Sequence, residues 1–173
     1  MFNDLPEGQT YKKIPLGGLK GSGKYIFIDT EDFELVEKYK WSENIDGYAN
    51  AHIPDSGRSS VTGKIILIHS LLIKAPKGMV TDHINGNKLD NRRKNLRICT
   101  RSQNLCNRGK QLNNTSGFKG VSWDKGKKKW EANIQTKGVF KFLGYFEDKI
   151  DAAKEYDKAA TKYHRNFAKL NLN

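Results

Sequence analysis

Cysteine is scarce: Cys99 and Cys106 are the only two in 173 residues. Two are too few for a disulfide framework, and their spacing is not the paired C-x-x-C of a zinc site. Long apolar runs are missing as well. No stretch approaches the ~18 consecutive apolar residues of a membrane span, which excludes a transmembrane helix. The opening MFNDLPEGQT has no basic segment followed by an apolar one, so no secretory signal is expected. Apolar residues make up 36% of the chain, enough for small cores and little more. These absences point to a soluble protein of a reducing, cytoplasmic compartment, built as one domain or two small ones.

What is abundant is positive charge. Lys and Arg number 31 against 19 Asp and Glu, a formal charge of +12. The excess is not spread evenly. Residues 1–62 carry a net −3, residues 63–110 a net +9, and residues 117–173 a net +6, with 111–116 uncharged. Two consecutive basic segments behind an acidic lead-in point to a polyanionic partner, double-stranded DNA or RNA, bound with a steep salt dependence.

The pattern of residues reads as α+β. Tyr25–Ile28 is a β-branched and aromatic run, hence a strand, and Thr30 opens a helix with Phe33, Val36 and Tyr39 or Lys40 on its apolar side. Residues 41–44 and 48–53 flank Ile45-Asp46-Gly47 as a hairpin. Residues 64–68 form the next strand, and His69 opens a short helix that ends before Pro76. A strand at 79–84 enters the polar run 85–95, and 96–99 returns. A loop of that length without periodicity is often functional. Thr100-Arg-Ser-Gln103 has the capping-box pattern of a helix start. Gly109–Gly117 reads as a linker. Beyond it come three strands, 118–123, 130–135 and 139–145, and a helix from Asp148 with Ile150, Ala153, Tyr156, Ala160 and Tyr163 as its apolar stripe. Trp41, Trp123 and Trp130 are expected in the cores.

The chemistry concentrates in the middle. Asp82-His83 is followed by Asn95 twelve residues after the His and by Asn104 nine residues later. Phosphodiester hydrolysis needs a base to activate water and a cation to neutralise the departing oxygen. A His with an ordinary pKa near ~6.5 suits the first role at neutral pH. A carboxylate with an amide oxygen suits Mg²⁺, or another divalent cation such as Mn²⁺. In a regular strand Asp82 and His83 point to opposite faces, so both serve one site only if the strand ends there.

Asp82-His-Ile-Asn-Gly-Asn-Lys-Leu-Asp-Asn91, then Asn95-Leu-Arg and Thr100-Arg-Ser-Gln-Asn104, resembles the HNH endonuclease motif. The resemblance implies a ββα-metal nuclease core in which His83 is the general base, Asp82 and Asn104 hold one divalent cation, and Asn95 ties the loop together. Residues 12–75 are similar to the lead-in of phage HNH nucleases, including Ile14-Pro15-Leu16 and the His69 helix. The last segment resembles the plant ethylene-response-factor type of DNA-binding domain through Gly120-Val-Ser-Trp123, Trp130-Glu-Ala-Asn-Ile134, Leu143-Gly-Tyr-Phe146, Ala152-Ala153, Tyr156-Asp157 and Ala159-Ala160. That likeness implies a three-stranded antiparallel sheet packed on one helix, with Lys119, Ser122, Lys129, Asn133, Gln135, Phe140 and Phe142 toward DNA. Arg92, Arg93, Lys94, Arg97 and Arg108 are the expected phosphate contacts beside the active site.

The expected organisation is therefore an α+β lead-in over 1–62, a nuclease core over 63–108, a linker over 109–117 and a sheet-plus-helix domain over 118–173. The expected function is a metal-dependent, homing-type DNA endonuclease of a phage-infected or bacterial cell, with no small-molecule cofactor and no membrane partner. One active site per chain suits a monomer that nicks. The rivals are a DNA-binding regulator on an inactive nuclease scaffold and a basic RNA-binding protein.

Overall fold

The computed structural model describes residues 10–53 and 63–172. Residues 1–9 and 54–62 of the expected lead-in lie outside the described residues. The chain divides into two compact units, 1–99 and 100–173. No helix among the described residues is long and apolar enough to cross a membrane.

In the first unit, β1 (Tyr11–Pro15) pairs antiparallel with β2 (Tyr25–Asp29) across the short helix α1 (Gly18–Gly21). The sequence does not announce β1, because Lys12 and Lys13 interrupt its apolar alternation. A 3₁₀ turn, Thr30–Asp32, leads into α2 (Phe33–Val36). This helix is shorter than the apolar spacing to Tyr39 suggests. The Trp41 indole donates to the Val36 carbonyl at 2.8 Å, and Tyr39 N–H turns back to the same oxygen at 3.2 Å, which closes the helix there. β3 (Ser42–Glu43), β4 (Ala49–Ile53) and β5 (Lys64–Leu67) form an antiparallel sheet in that order. Asn44 Oδ1 accepts from Asp46 and Tyr48 N–H, and Gly47 at φ +83° completes the turn. Next come α3 (Ile68–Leu72), β6 (Met79–His83) and β7 (Leu96–Thr100), the last two paired as a sheet of their own.

One core serves most of these elements. Ile26, Ile28, Val36, Trp41, Ala49, Ala51, Ile68, Leu72 and Leu96 are buried together, with Leu89 packed against them. Leu89 and Leu96 sit within and just after the polar loop, so the loop is anchored in the core from two points. The bridge between Phe27 and Asp90 adds a third, through Phe27 N–H to Leu89 O and Asn91 N–H to Phe27 O.

The second unit begins with α4 (Arg101–Asn107), capped by the expected reciprocal Thr100–Gln103 box. The division between the units thus falls ahead of the polar linker 109–117. The reason is that Lys119 Nζ donates to Cys106 O and Arg108 O, each at 2.6 Å, and ties the end of α4 to the unit that follows. β8 (Val121–Asp124), β9 (Lys129–Thr136) and β10 (Val139–Phe146) make an antiparallel sheet with β9 in the middle. α5 (Lys149–His164) lies on one face, N-capped by Asp148. Its buried residues are Ala152, Ala153, Tyr156, Ala159, Ala160 and His164, four of them alanines that let the helix backbone approach Val121, Ala132 and Ile134 closely. Ile150 and Tyr163, expected in the stripe, are 44% and 39% exposed. At 100° per residue Ile150 falls on the margin of that face. The Tyr163 ring lies instead near the ammonium groups of Lys141 and Lys162.

One further detail corrects the sequence expectation. Trp123 is 44% exposed and not a core residue: it meets Trp130 edge-on at 5.1 Å beyond the buried Val121–Ala132 pair. Gly120, at φ +73°, has no room for a side chain, since a Cβ there would lie 2.2 Å from the Tyr156 ring and 2.5 Å from Asn133 O.

Candidate active site

β6 ends at His83, as the use of both neighbours in one site requires. Gly86 N–H bonds to His83 O at 2.9 Å with Gly86 at φ +78°, which turns the chain immediately after the His. Asp82 and His83 are 6% and 4% exposed. Two adjacent buried polar side chains are costly in a strand unless each is bonded, and both are.

The loop from 85 to 95 is held by its own amides. Asn95 Oδ1 accepts from Asn85 N–H at 3.0 Å, and Asn95 Nδ2 donates to Asp90 O at 2.7 Å. Asn85 Oδ1 and Asn87 Oδ1 each accept from the backbone N–H two residues on. Side-chain to backbone bonds of this kind replace the ladder that the loop lacks. Asn91, fully buried, reaches His83: its Oδ1 lies 3.1 Å from His83 Nε2. Asn91 lies within the motif, but nothing in its spacing marks it as a partner of His83. Its surroundings become visible only when the loop folds back on β6.

Around His83 stand two more rings. His69 meets it edge-on at 5.2 Å, and Tyr48 lies 5.2 Å from His69 and 5.9 Å from His83. Burial, reinforced by the neighbouring His83, lowers the His69 pKa to about 4. Burial also lowers that of His83, against the opposing pull of the Asn91 bond and the Asp82 and Asp90 carboxylates. Both imidazoles are therefore neutral at pH 7, the state in which His83 can accept a proton.

The expected phosphate contacts divide sharply. Arg92 grips Asp90 with two 2.7 Å bonds, and Arg93 grips Asp32 at 2.6 and 3.0 Å with Glu31 alongside at 3.1 Å. Arg97 meets Asp82 Oδ2 through Nε at 2.9 Å and its terminal nitrogen at 2.8 Å. Asp32, Asp82 and Asp90 are all buried. Burial opposes ionisation of Asp90, but the Arg92 bonds outweigh it and hold the carboxyl below its ordinary value. These three guanidinium groups are paired with carboxylates, Arg93 while remaining exposed, and Lys94 and Arg108 are exposed as well. Asn104 lies on α4, half-buried in the second unit. No cluster of three or more His, Cys, Asp and Glu side chains able to hold a metal is assembled among the described residues.

The second unit presents a polar sheet face opposite α5. Cross-strand pairing puts Ser122 beside Glu131, Asp124 beside Lys129, Gln135 beside Phe140 and Asn133 beside Phe142. Phe140 and Phe142, on the edge strand, are 72% and 56% exposed. A bulge between Phe142 and Gly144 shifts the register, so Tyr145 joins this face, 4.9 Å from Phe142, while Phe146 packs into the core. Glu131, which the motif does not mark as a contact, accepts from Asn133 Nδ2 at 2.6 Å in the middle of the face. Lys119 does not join the face, because its ammonium is committed to the carbonyls at the end of α4 and its pKa is lowered by burial.

Comparison with known proteins bears on the first of these sites. A relative from Acanthamoeba polyphaga mimivirus, named an uncharacterized HNH endonuclease L560, is 28% identical over 154 residues, covering 88% of this chain and 77% of its own. Protein 3.8 of Escherichia phage T7 is 40% identical over 63 residues, 36% of this chain and 52% of that protein. A solved structure described as DNA binding and cleavage by the HNH homing endonuclease I-HmuI covers 83% of this chain and 78% of its own, at 23% identity and a TM-score of 0.35. The HNH endonuclease family profile matches residues 74–106, a span that contains β6, the amide-tied loop, β7 and the capped start of α4. That segment is similar to the HNH endonuclease family.

Proposed function

We propose that this chain is a metal-dependent, homing-type endonuclease that hydrolyses one phosphodiester bond of double-stranded DNA per active site. The observation that carries the reading is the buried, neutral His83 imidazole, bonded at Nε2 and adjacent to the buried carboxylate of Asp82, inside the family segment. His83 takes the proton of the attacking water. Asn95 keeps the loop, and therefore His83, in place through its two backbone bonds. Asp82 and Asn104 offer a carboxylate and an amide oxygen, hard ligands that suit a Mg²⁺ or Mn²⁺ ion which keeps most of its water. Bound there, the cation supplies charge neutralisation for the 3′-oxygen leaving group.

We read residues 1–62 as the lead-in, 63–108 as the nuclease core, 109–117 as a linker and 118–173 as a DNA-recognition domain of the ethylene-response-factor type. Three antiparallel strands backed by one helix support that reading, as do Ser122, Lys129, Asn133, Gln135, Phe140 and Phe142 on one face. Asn133 and Gln135 suit adenine edges, and Glu131 suits the cytosine amino group. One site per chain suits a monomer that nicks, acting in the cytoplasm of a bacterial or phage-infected cell.

A regulator built on an inactive scaffold has one observation in its favour: Arg97 already binds the Asp82 carboxylate. Cleavage of supercoiled plasmid carrying the native flanking locus separates the two. The native chain with Mg²⁺ should convert the plasmid to open circles, while EDTA or His83→Ala should cut the rate by about 10²-fold or more with binding retained. Tight, salt-sensitive binding with no conversion would establish the regulator instead.

A further inference from the structure

We infer that Asn91 is a positioning residue for the nuclease reaction: it fixes the tautomer of His83 so that Nδ1 carries the lone pair that takes the proton of water. The inference rests on the reading of His83 as the general base.

The argument is one of donors and acceptors. The two ends of an Asn amide differ only in which can donate, so the orientation must come from a neighbour whose role is fixed. Lys88 supplies it. Its backbone carbonyl can only accept, and it lies 3.3 Å from Asn91 Nδ2. The NH₂ group therefore faces Lys88, and Oδ1 faces His83 Nε2 at 3.1 Å. An amide oxygen can only accept, so Nε2 must carry the hydrogen. In a neutral imidazole the other nitrogen, Nδ1, then has the lone pair.

Asn91 cannot readily leave this position. Its side chain is fully buried, and its own N–H is held by Phe27 O at 2.7 Å. Phe27 belongs to β2, whose Ile26 and Ile28 are wholly buried in the core. The lead-in thereby reaches the reacting group through three links: β2 fixes the Asn91 backbone, Lys88 fixes its amide, and the amide fixes the imidazole. A second-sphere partner that sets the tautomer and ring angle of a His is a familiar requirement of His general bases. An Asn does it here without adding a charge to the site.

The test uses ring-nitrogen NMR on the native full-length chain, labelled in histidine and free of metal and DNA, at pH 7.5. A His83→Gln spectrum identifies the His83 signals among those of His52, His69 and His164. His83 should be in the Nε2–H form. In Asn91→Leu it should lose that single form, and kcat for plasmid cleavage with Mg²⁺ should fall about 10²-fold with KM little changed. Asn91→Asp, which keeps an acceptor at the same place, should retain the Nε2–H form and a kcat closer to native. A native His83 in the Nδ1–H form would overturn the inference, and that spectrum decides even if Asn91→Leu does not fold. A folded Asn91→Leu with unchanged tautomer or unchanged kcat would overturn it equally. Full cleavage by His83→Ala would instead remove the general-base reading, an outcome independent of the tautomer recorded in the native chain.

Discussion

The two units use positive charge in opposite ways. In the first, Arg92, Arg93 and Arg97 are bound to Asp90, Asp32 and Asp82, carboxylates with almost no exposure. In the second, the charge is mostly lysine at the surface: Lys125, Lys127 and Lys128 in one turn, Lys137 in the next, and Lys154 and Lys158 on the helix. The helix pairs, Lys154–Asp151 and Lys158–Glu155, join exposed groups and contribute little. Planar guanidinium groups suit fixed, bidentate partners, while lysine remains hydrated and mobile. The high charge of residues 63–110 is thus partly cancelled in space by acids from elsewhere. Asp29 accepts from Arg93 N–H, and Glu31 and Asp32 meet its guanidinium, so three acids of the lead-in converge on one arginine of the basic loop.

The largest expected effect that would break this contrast lies in the first unit. Arg92→Ala leaves Asp90 buried without its ionic partner, with the Asn85 amide still bonded to it, and should cost about 3 kcal/mol in chemical denaturation. Replacing both residues with apolar ones should recover much of that loss. If Arg92→Ala instead left stability unchanged and only flattened the salt dependence of DNA binding, the arginine would be a phosphate contact.

Acid should act through the same region. The folded-state pKa of His69, at about 4, lies below its ordinary 6.5, so the unfolded chain binds the proton first. The associated stability is present above about pH 6.5 and is lost as pH falls toward 4, on the order of 3 kcal/mol in all. Urea midpoints measured between pH 7.5 and 4 should decline, and His69→Phe should flatten that decline.

Phe140→Ala removes a 72% exposed ring. It should weaken binding of the cognate duplex by about 1 kcal/mol while leaving the melting temperature unchanged. A fall in melting temperature with unchanged affinity would make Phe140 a packing residue. The smallest effect is the most diagnostic of the lysine surface. Lys128 sits at φ +54°, a region that favours glycine. Lys128→Gly should raise stability by about 0.5 kcal/mol yet reduce the slope of log K against log salt by about one unit. A stability gain with an unchanged slope would mean the turn does not touch phosphate.

Much of the site is legible along the chain because its chemistry is local. Asp82 and His83 are neighbours, the asparagines of the loop bond to backbone a few residues away, and the Thr100–Gln103 cap spans a single turn. Contacts between distant segments are not legible in the same way. The edge strand β1 is hidden by its lysines, and the bulge at Leu143 reverses the faces that strict alternation assigns to Tyr145 and Phe146. Lys119 reads as a surface cation until its partners, the carbonyls of Cys106 and Arg108, are brought to it.

The motif segment, most of the strands and helices, and the neighbouring Asp82 and His83 are readable from residue type and short spacing alone. Which charges are paired with one another depends instead on the packing of distant segments. The partners of Arg93 and Arg92 differ in one respect: Asp32 stands 61 residues from Arg93, whereas Asp90 is only two from Arg92. Pairing across such a separation, and the burial that makes it strong, are set by how the chain packs and not by which residues are adjacent. The orientation of Asn91 has the same origin, because it needs β2, Lys88 and His83 to meet at one amide.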